Sequence, residues 1–169
     1  MSDATDPSPV EVRPVRADEL DVVGELTVRA YVEAGGVDPE SDFAALLRRA
    51  ADRAAVAPLH VAVRDGVVVG AVSLCPYGCE WADIALPGEL ELRMLVVEPA
   101  ARGTGVADAL LHSAVALARE RGDERLALSV IDDNAPVHRL YVRHGFERVP
   151  DRDWSPMPDI TLWAYTRPV

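Results

Sequence analysis

Lysine is absent: all 17 residues counted as Lys or Arg are arginine. Walker-type phosphate binding, the phosphate pairing of kinases and Schiff-base catalysis each need a lysine amine, so three enzyme classes are excluded at once. Cysteine is nearly absent too. Only Cys75 and Cys79 occur, with no histidine near them in sequence to complete a zinc site, and they read as two reduced thiols in or beside a loop. No metal is expected. Positive charge is in deficit, with a net charge of -11, which opposes binding to DNA or RNA but still allows a local arginine group to hold one small anion. There is no run of about 18 apolar residues, and the opening "MSDATDPSPV" has neither the basic nor the apolar block of a leader. The expectation is a soluble, cytoplasmic protein with no nucleic-acid or membrane partner.

With 169 residues, 49% of them hydrophobic, the chain can bury a substantial core, and one domain over residues 9–169 after a disordered tail at 1–8 is the natural reading. "VEVRPV" reads as a short strand and "ADELDVVGELTVRAYVEA" as an amphipathic helix with Leu20, Val23, Leu26 (or Thr27) and Ala30 at helical spacing. "PESDFAALLRRAADRAA" follows as a second helix. "LHVAV" and "VVVGAVSL" flank Asp65-Gly66, a pair suited to a tight hairpin turn, and "CPYGCEWADIALPG" reads as a long loop. The strand "ELELRMLVV", the helix "GVADALLHSAVALARERG" and the strand "RLALSVI" form a βαβ unit, which makes the two strands parallel. "NAPVHRLYVRHG" is a short helix ending at Gly145, and "FERVP" and "ITLWAYT" are closing strands.

The junction "EPAARGTGVADALL" places glycines between a buried strand and a good helix. Free amides in the helix's first turn carry partial positive charge, and the small residues Gly103, Gly105 and Ala107 let a phosphate approach the backbone. A plain structural loop fits the same glycines. A dinucleotide fingerprint does not, because it needs glycine where Asp108 stands and follows the first strand of its fold, whereas this turn follows the fourth. In the later helix Asn134 suits the N-cap, and about 100° per residue brings Asn134, Val137 and Tyr141 to one face. That face can line a ligand or simply pack.

Arg102-x-x-Gly105-x-Ala107, after "LRMLVV" and before an apolar helix, resembles the Arg/Gln-x-x-Gly-x-Gly/Ala motif of the GNAT superfamily of N-acetyltransferases. "NAPVHRLYVRHGF" is similar to that family's second signature, an Asn, a helix with Leu-Tyr, then Gly-Phe. The resemblance runs from about residue 10 to 165. It implies an α/β fold (α+β, GNAT-like) with a central mixed sheet of six or seven strands and about four helices. It also implies acetyl-CoA as cofactor with CoA as product, a primary amine of a small molecule or peptide as acceptor, and often a homodimer. Cofactor contacts then fall on Leu95, Val96 and Val97 of the strand, on Arg102, Gly103, Thr104, Gly105, Val106 and Ala107 of the turn, and on Asn134. A strand amide near Leu95 polarises the thioester carbonyl.

On the same mapping Tyr141 is the acid for the departing thiolate, since a phenol of pKa near 10 can protonate a thiol of pKa near 8.5. Glu91 is the base, directly or through water, unless it is merely an exposed strand carboxylate; Glu89, Asp132 and Asp133 are the fallbacks. Ser129 stands where some peptide-acetylating relatives carry glutamate, a departure that weakens the case for a protein amino terminus as acceptor. Arg139 and Arg143 meet a CoA phosphate or form a solvated helix face. Glu80, Trp81, Asp83 and Trp154 line an acceptor pocket, or the tryptophans cover the core. The rival from another class is a non-catalytic acyl-CoA-binding sensor or partner domain.

Overall fold

Asp65 and Gly66 both adopt positive φ, 50° and 77°, in the computed structural model, whose described residues are 7–169. Two positive φ values define the hairpin turn whose twist matches its strands. The turn joins β2 (Leu59–Arg64) to β3 (Val67–Pro76), with Arg64 opposite Val67, as the Asp-Gly pair predicts. β1 (Glu11–Pro14) pairs antiparallel with β2. The expected tail lies outside the described residues as far as residue 6, and beyond it the Ser8 carbonyl accepts from Arg64 Nε at 2.8 Å.

By its contacts the chain divides into two units, one running to Ser73 and resuming over Met94–Ser113, the other comprising Leu74–Arg93 and Ala114–Val169. The first has strand order β1-β2-β3-β4, where β4 (Glu89–Val97) enters with its second half and Glu98 N donates to Val69 O. A 3-10 turn at Ala17–Glu19 leads into α1 (Leu20–Glu33), which buries Val23 and Leu26 against Leu59, Val61, Val63, Ala71 and Val96. Each such aliphatic side chain contributes about 1.5–3 kcal/mol on burial.

The single helix expected from Pro39 onward is broken in two: α2 (Asp42–Leu47) and α3 (Ala50–Val56). Arg49 takes a non-helical ψ of 52°, and Ala50 N donates to Arg48 O. Arginine forms helices well, so the break has no local signal. It comes from close approach: Arg48 O lies 2.5 Å from where a Cβ of Gly24, in α1, would stand. The fully buried Arg53 bridges the break, its Nη1 donating to Leu47 O at the end of α2.

The second unit has strand order β4-β5-β8-β6, with β7 on β8. β5 (Arg125–Ile131) runs parallel to β4, as read, with α4 (Val106–Arg121) between them in the chain. β8 (Ile160–Pro168) pairs along the whole of β5, and α5 (Ala135–Arg143) precedes Gly145, whose φ is 84°. "FERVP" shrinks to β6 (Glu147–Arg148), followed by a 3-10 turn at Pro150–Arg152. β7 (Trp154–Met157), which contains Pro156, is a short strand beyond those expected. The fold class therefore stands as expected, but the described residues form eight strands and five α-helices rather than six or seven strands and about four helices, β7 and the split of α2 from α3 making the difference. None of those helices is long and apolar enough to cross a membrane.

Gly24→Ala is expected to lower stability by about 1–3 kcal/mol in urea unfolding, although alanine is the better helix former, because backbone must move aside. Gly36→Ala, whose Cβ meets nothing within 4 Å, is expected to change it by less than about 0.5 kcal/mol.

Candidate functional site

In the first unit, Pro99 opens a 3-10 turn (Pro99–Ala101) that leads into Arg102 to Gly105. Gly103 and Gly105 take φ of 73° and 86°, and a Cβ built at either meets nothing within 4 Å. The helical ladder of α4 opens with Ala109 N donating to Gly105 O, so the amides of Val106 and Ala107 lie ahead of it. Gly70 seats this end of the helix: a Cβ there would stand 2.8 Å from Val106 Cγ1 and 3.1 Å from Val96 O. The turn thus meets the needs of a phosphate, backbone amides at a helix N-terminus with no side chain in the way.

Two features of the first unit escape sequence reasoning. Arg64 grips Thr104, Nη1 to Oγ1 at 2.8 Å and Nη2 to O at 3.0 Å, bringing a guanidinium to the glycine turn from the hairpin. Its only sequence signal is its place beside Asp65-Gly66. Met94 has φ of 52°, a left-handed conformation costing a non-glycine residue about 1–2 kcal/mol, and such strain clusters at functional sites. Beyond it Val96 is buried in the core cluster, while Leu95 and Val97 are half-buried. Arg102 is exposed, with one loose ion pair to Glu33 at 3.4 Å.

In the second unit, β4 and β5 pair at Glu89–Arg125, Leu90–Leu126 and Glu91–Ala127, and the pairing stops there although β5 continues to Ile131. Glu91 is fully buried, which overturns the alternative of an exposed carboxylate. Its Oε2 accepts the backbone amides of Asp83, Ile84 and Ala85, each at 2.9 Å, while Oε1 is buried without a hydrogen-bond partner. Burial pushes the Glu91 carboxyl up, against the downward pull of the Ile84 and Ala85 amides and of Arg93. Glu89, a fallback base, is committed elsewhere: it pairs with Arg152 at 2.7 Å and accepts from Leu86 N. Asp132 and Asp133 are exposed.

The expected acceptor-pocket residues divide. Trp81 is buried and its carbonyl accepts from Arg93; Asp83 pairs with Arg93 at 2.7 Å; Trp154 Nε1 donates to Ser129 Oγ at 3.3 Å; Glu80 is exposed. Asn134 caps α5, its Oδ1 accepting from Val137 N at 3.4 Å. Tyr141 is buried, edge-on to Phe146 at 5.5 Å and 6.4 Å from the Tyr165 ring. One turn earlier His138 hydrogen-bonds Tyr165 Oη at 2.8 Å, a contact with no sequence signal. Arg139 and Arg143 are exposed. Cys75 lies near the end of β3, beside the loop, and burial pushes its thiol up to about 12, unsuited to nucleophilic attack.

Residues 20–146 match the acetyltransferase (GNAT) family. That is most of the chain, and the protein belongs to this family, whose members use acetyl-CoA. Solved structures agree on the fold. An acetyltransferase of the GNAT family from Staphylococcus aureus Mu50 superposes with a TM-score of 0.73 at 14% identity, over 95% of this chain and 99% of that one. The PaiA N-acetyltransferase from Thermoplasma acidophilum, solved in complex with coenzyme A, gives 0.71 at 15% identity, over 95% and 99%. A ribosomal-protein-alanine N-acetyltransferase from Brucella melitensis gives 0.66 at 24% identity, over 94% and 99%. No curated protein sequence matches the chain.

Glu91→Ala leaves three part-buried amides without their acceptor and is expected to cost about 2–3 kcal/mol, with faster hydrogen exchange at Asp83 to Ala85. The upward shift of Glu91 also sets a pH dependence. A carboxyl whose folded pKa exceeds its unfolded value of about 4.5 gives stability that is complete below that value and lost as pH rises through the folded pKa. In urea unfolding from pH 4 to 8, the wild type is expected to lose stability relative to Glu91→Gln as pH rises.

Proposed function

We propose that this chain is an acetyl-CoA-dependent N-acetyltransferase that moves the acetyl group directly to a primary amine of a small molecule or peptide. The observation that carries the reading is Glu91, a buried carboxylate with one oxygen fixed by three amides and the other unpartnered. Acyl transfer to an amine needs a base, and burial pushes the Glu91 carboxyl up, which makes its carboxylate a stronger base than an exposed one. Glu91 Oε1 takes the proton of the acceptor ammonium; since the residue is fully buried, a bridging water relays it.

When bound, acetyl-CoA supplies an activated acetyl group as a thioester. The turn from Gly103 to Ala107 holds its phosphates with backbone amides, and Arg102 and Arg64 add positive charge. The backbone of Leu95, Val96 and Val97 would align the cofactor's arm, and the amide near Leu95 would offer a hydrogen bond to negative charge on the thioester oxygen, a contribution of roughly 3 kcal/mol for one such donor. Asn134 holds the start of α5, and Tyr141 Oη would be the acid for the departing thiolate. No cysteine serves as a covalent relay, in keeping with the protonated Cys75 thiol. A second reading, an acyl-CoA sensor without turnover, draws support from the engagement of Glu89 and Glu91 in holding backbone.

Thermal unfolding with acetyl-CoA, CoA, NADH and ATP in parallel is expected to show a rise only with the first two. At 100 times the dissociation constant this is about 2.7 kcal/mol, or roughly 5–10 °C. Thiol release from acetyl-CoA with a panel of a polyamine, an amino-acid amide and an alanine-initiated peptide is expected to fall about 100-fold in Tyr141→Phe without loss of the acetyl-CoA shift. A shift without amine-dependent release would favour the sensor, and a shift with NADH alone would contradict both readings.

A further inference from the structure

The loop from Tyr77 to Gly88 is held by its backbone, and Arg152 is at the centre of that hold. Arg152 Nη1 and Nη2 bind Glu89 at 3.0 and 2.7 Å, and Nη2 also donates to Ile84 O at 2.5 Å. The amide of the same Ile84 donates to Glu91 Oε2. The peptide units around Ile84 are therefore gripped from both sides, a carbonyl by a cation and amides by an anion. Glu89 and Glu91 stand two apart on one strand, so their side chains share a face, and Arg152 is the counter-charge on Glu89. The other titratable or charged groups around Glu91 are Arg93 on its own strand, Asp83 on the loop, and Cys75 on β3.

We propose that Arg152 is a positioning residue for the proton acceptor: by neutralising Glu89 and fixing the Ile84 carbonyl, it seats the Asp83 to Ala85 amides on Glu91 Oε2 and reserves Oε1 for the acceptor's proton. This rests on the reading of Glu91 as the base. Without Arg152, Glu89 becomes an uncompensated carboxylate on the same face, and like charge disfavours the ionised form of its neighbour.

The test reads the amides themselves, because their chemical shifts follow the charge on the oxygen they donate to. In the wild type the amides of Asp83, Ile84 and Ala85 are expected to titrate together, and in Glu91→Gln this common titration is expected to vanish. In Arg152→Gln the midpoint is expected to rise by about one pH unit, and adding Glu89→Gln is expected to bring it back. Should Arg152→Gln fail to fold, Glu89→Gln alone keeps the test: the uncompensated guanidinium is expected to lower the midpoint. A midpoint unmoved in both Arg152→Gln and Glu89→Gln overturns the proposal while leaving the base assignment standing. Midpoints that move as stated, with amine-dependent thiol release from acetyl-CoA in Glu91→Gln equal to wild type, overturn the base assignment and with it the role given to Arg152.

Discussion

The second unit depends on a buried carboxylate meeting three part-buried amides. Either side alone is costly, because an unpaired anion or an unsatisfied amide has lost its water. Together they turn twelve residues with little regular structure, Tyr77 to Gly88, into an ordered loop. Glu89 repeats the device with Leu86 N. Because the hold is on backbone, side chains such as Tyr77 and Leu86 remain at the surface. The carboxylate that orders the loop is also the one with an oxygen to spare, and the proposed chemistry would rest on the same residue as the fold.

The lack of lysine has a structural counterpart. Arg53, Arg64, Arg93, Arg148, Arg152 and Arg167 all donate to backbone carbonyls of residues at least five positions away. A guanidinium presents several donors in a fixed plane and can hold a carboxylate and a carbonyl at once, as Arg152 does; an ammonium is a single point. Arg53 replaces a helix cap across the break between α2 and α3, and Arg64 fixes the turn at Thr104. Charge in this acidic chain is therefore spent on fixing loops and helix ends as much as on solubility.

Strands and helices whose period is set locally were legible: the hairpin at Asp65-Gly66, the parallel pair β4 and β5, and α5 with its Asn134 cap all stand where the residues put them. The break at Arg48-Arg49 was not, because it depends on Gly24 in another helix. The glycine turn could be read as an anion cradle, but the Arg64 grip on it could not, since nothing in a sequence pairs positions 64 and 104. Glu91 could be picked out as an acid in the right strand. Its burial could not: β4 buries both faces at Glu89 to Leu92, so alternation gives no hint of which way it points.

The central claim is that the carboxylate anchoring the loop is also the base. Its most direct test is the pH dependence of kcat/KM for whichever panel amine is acetylated, set beside the pH dependence of the Asp83 to Ala85 amide shifts. With Glu91 as the base, one acidic limb is expected, its midpoint coinciding with that of the amides, and it is lost in Glu91→Gln. A limb at a different pH, or one that survives in Glu91→Gln, would contradict it and leave Glu91 as an anchor alone.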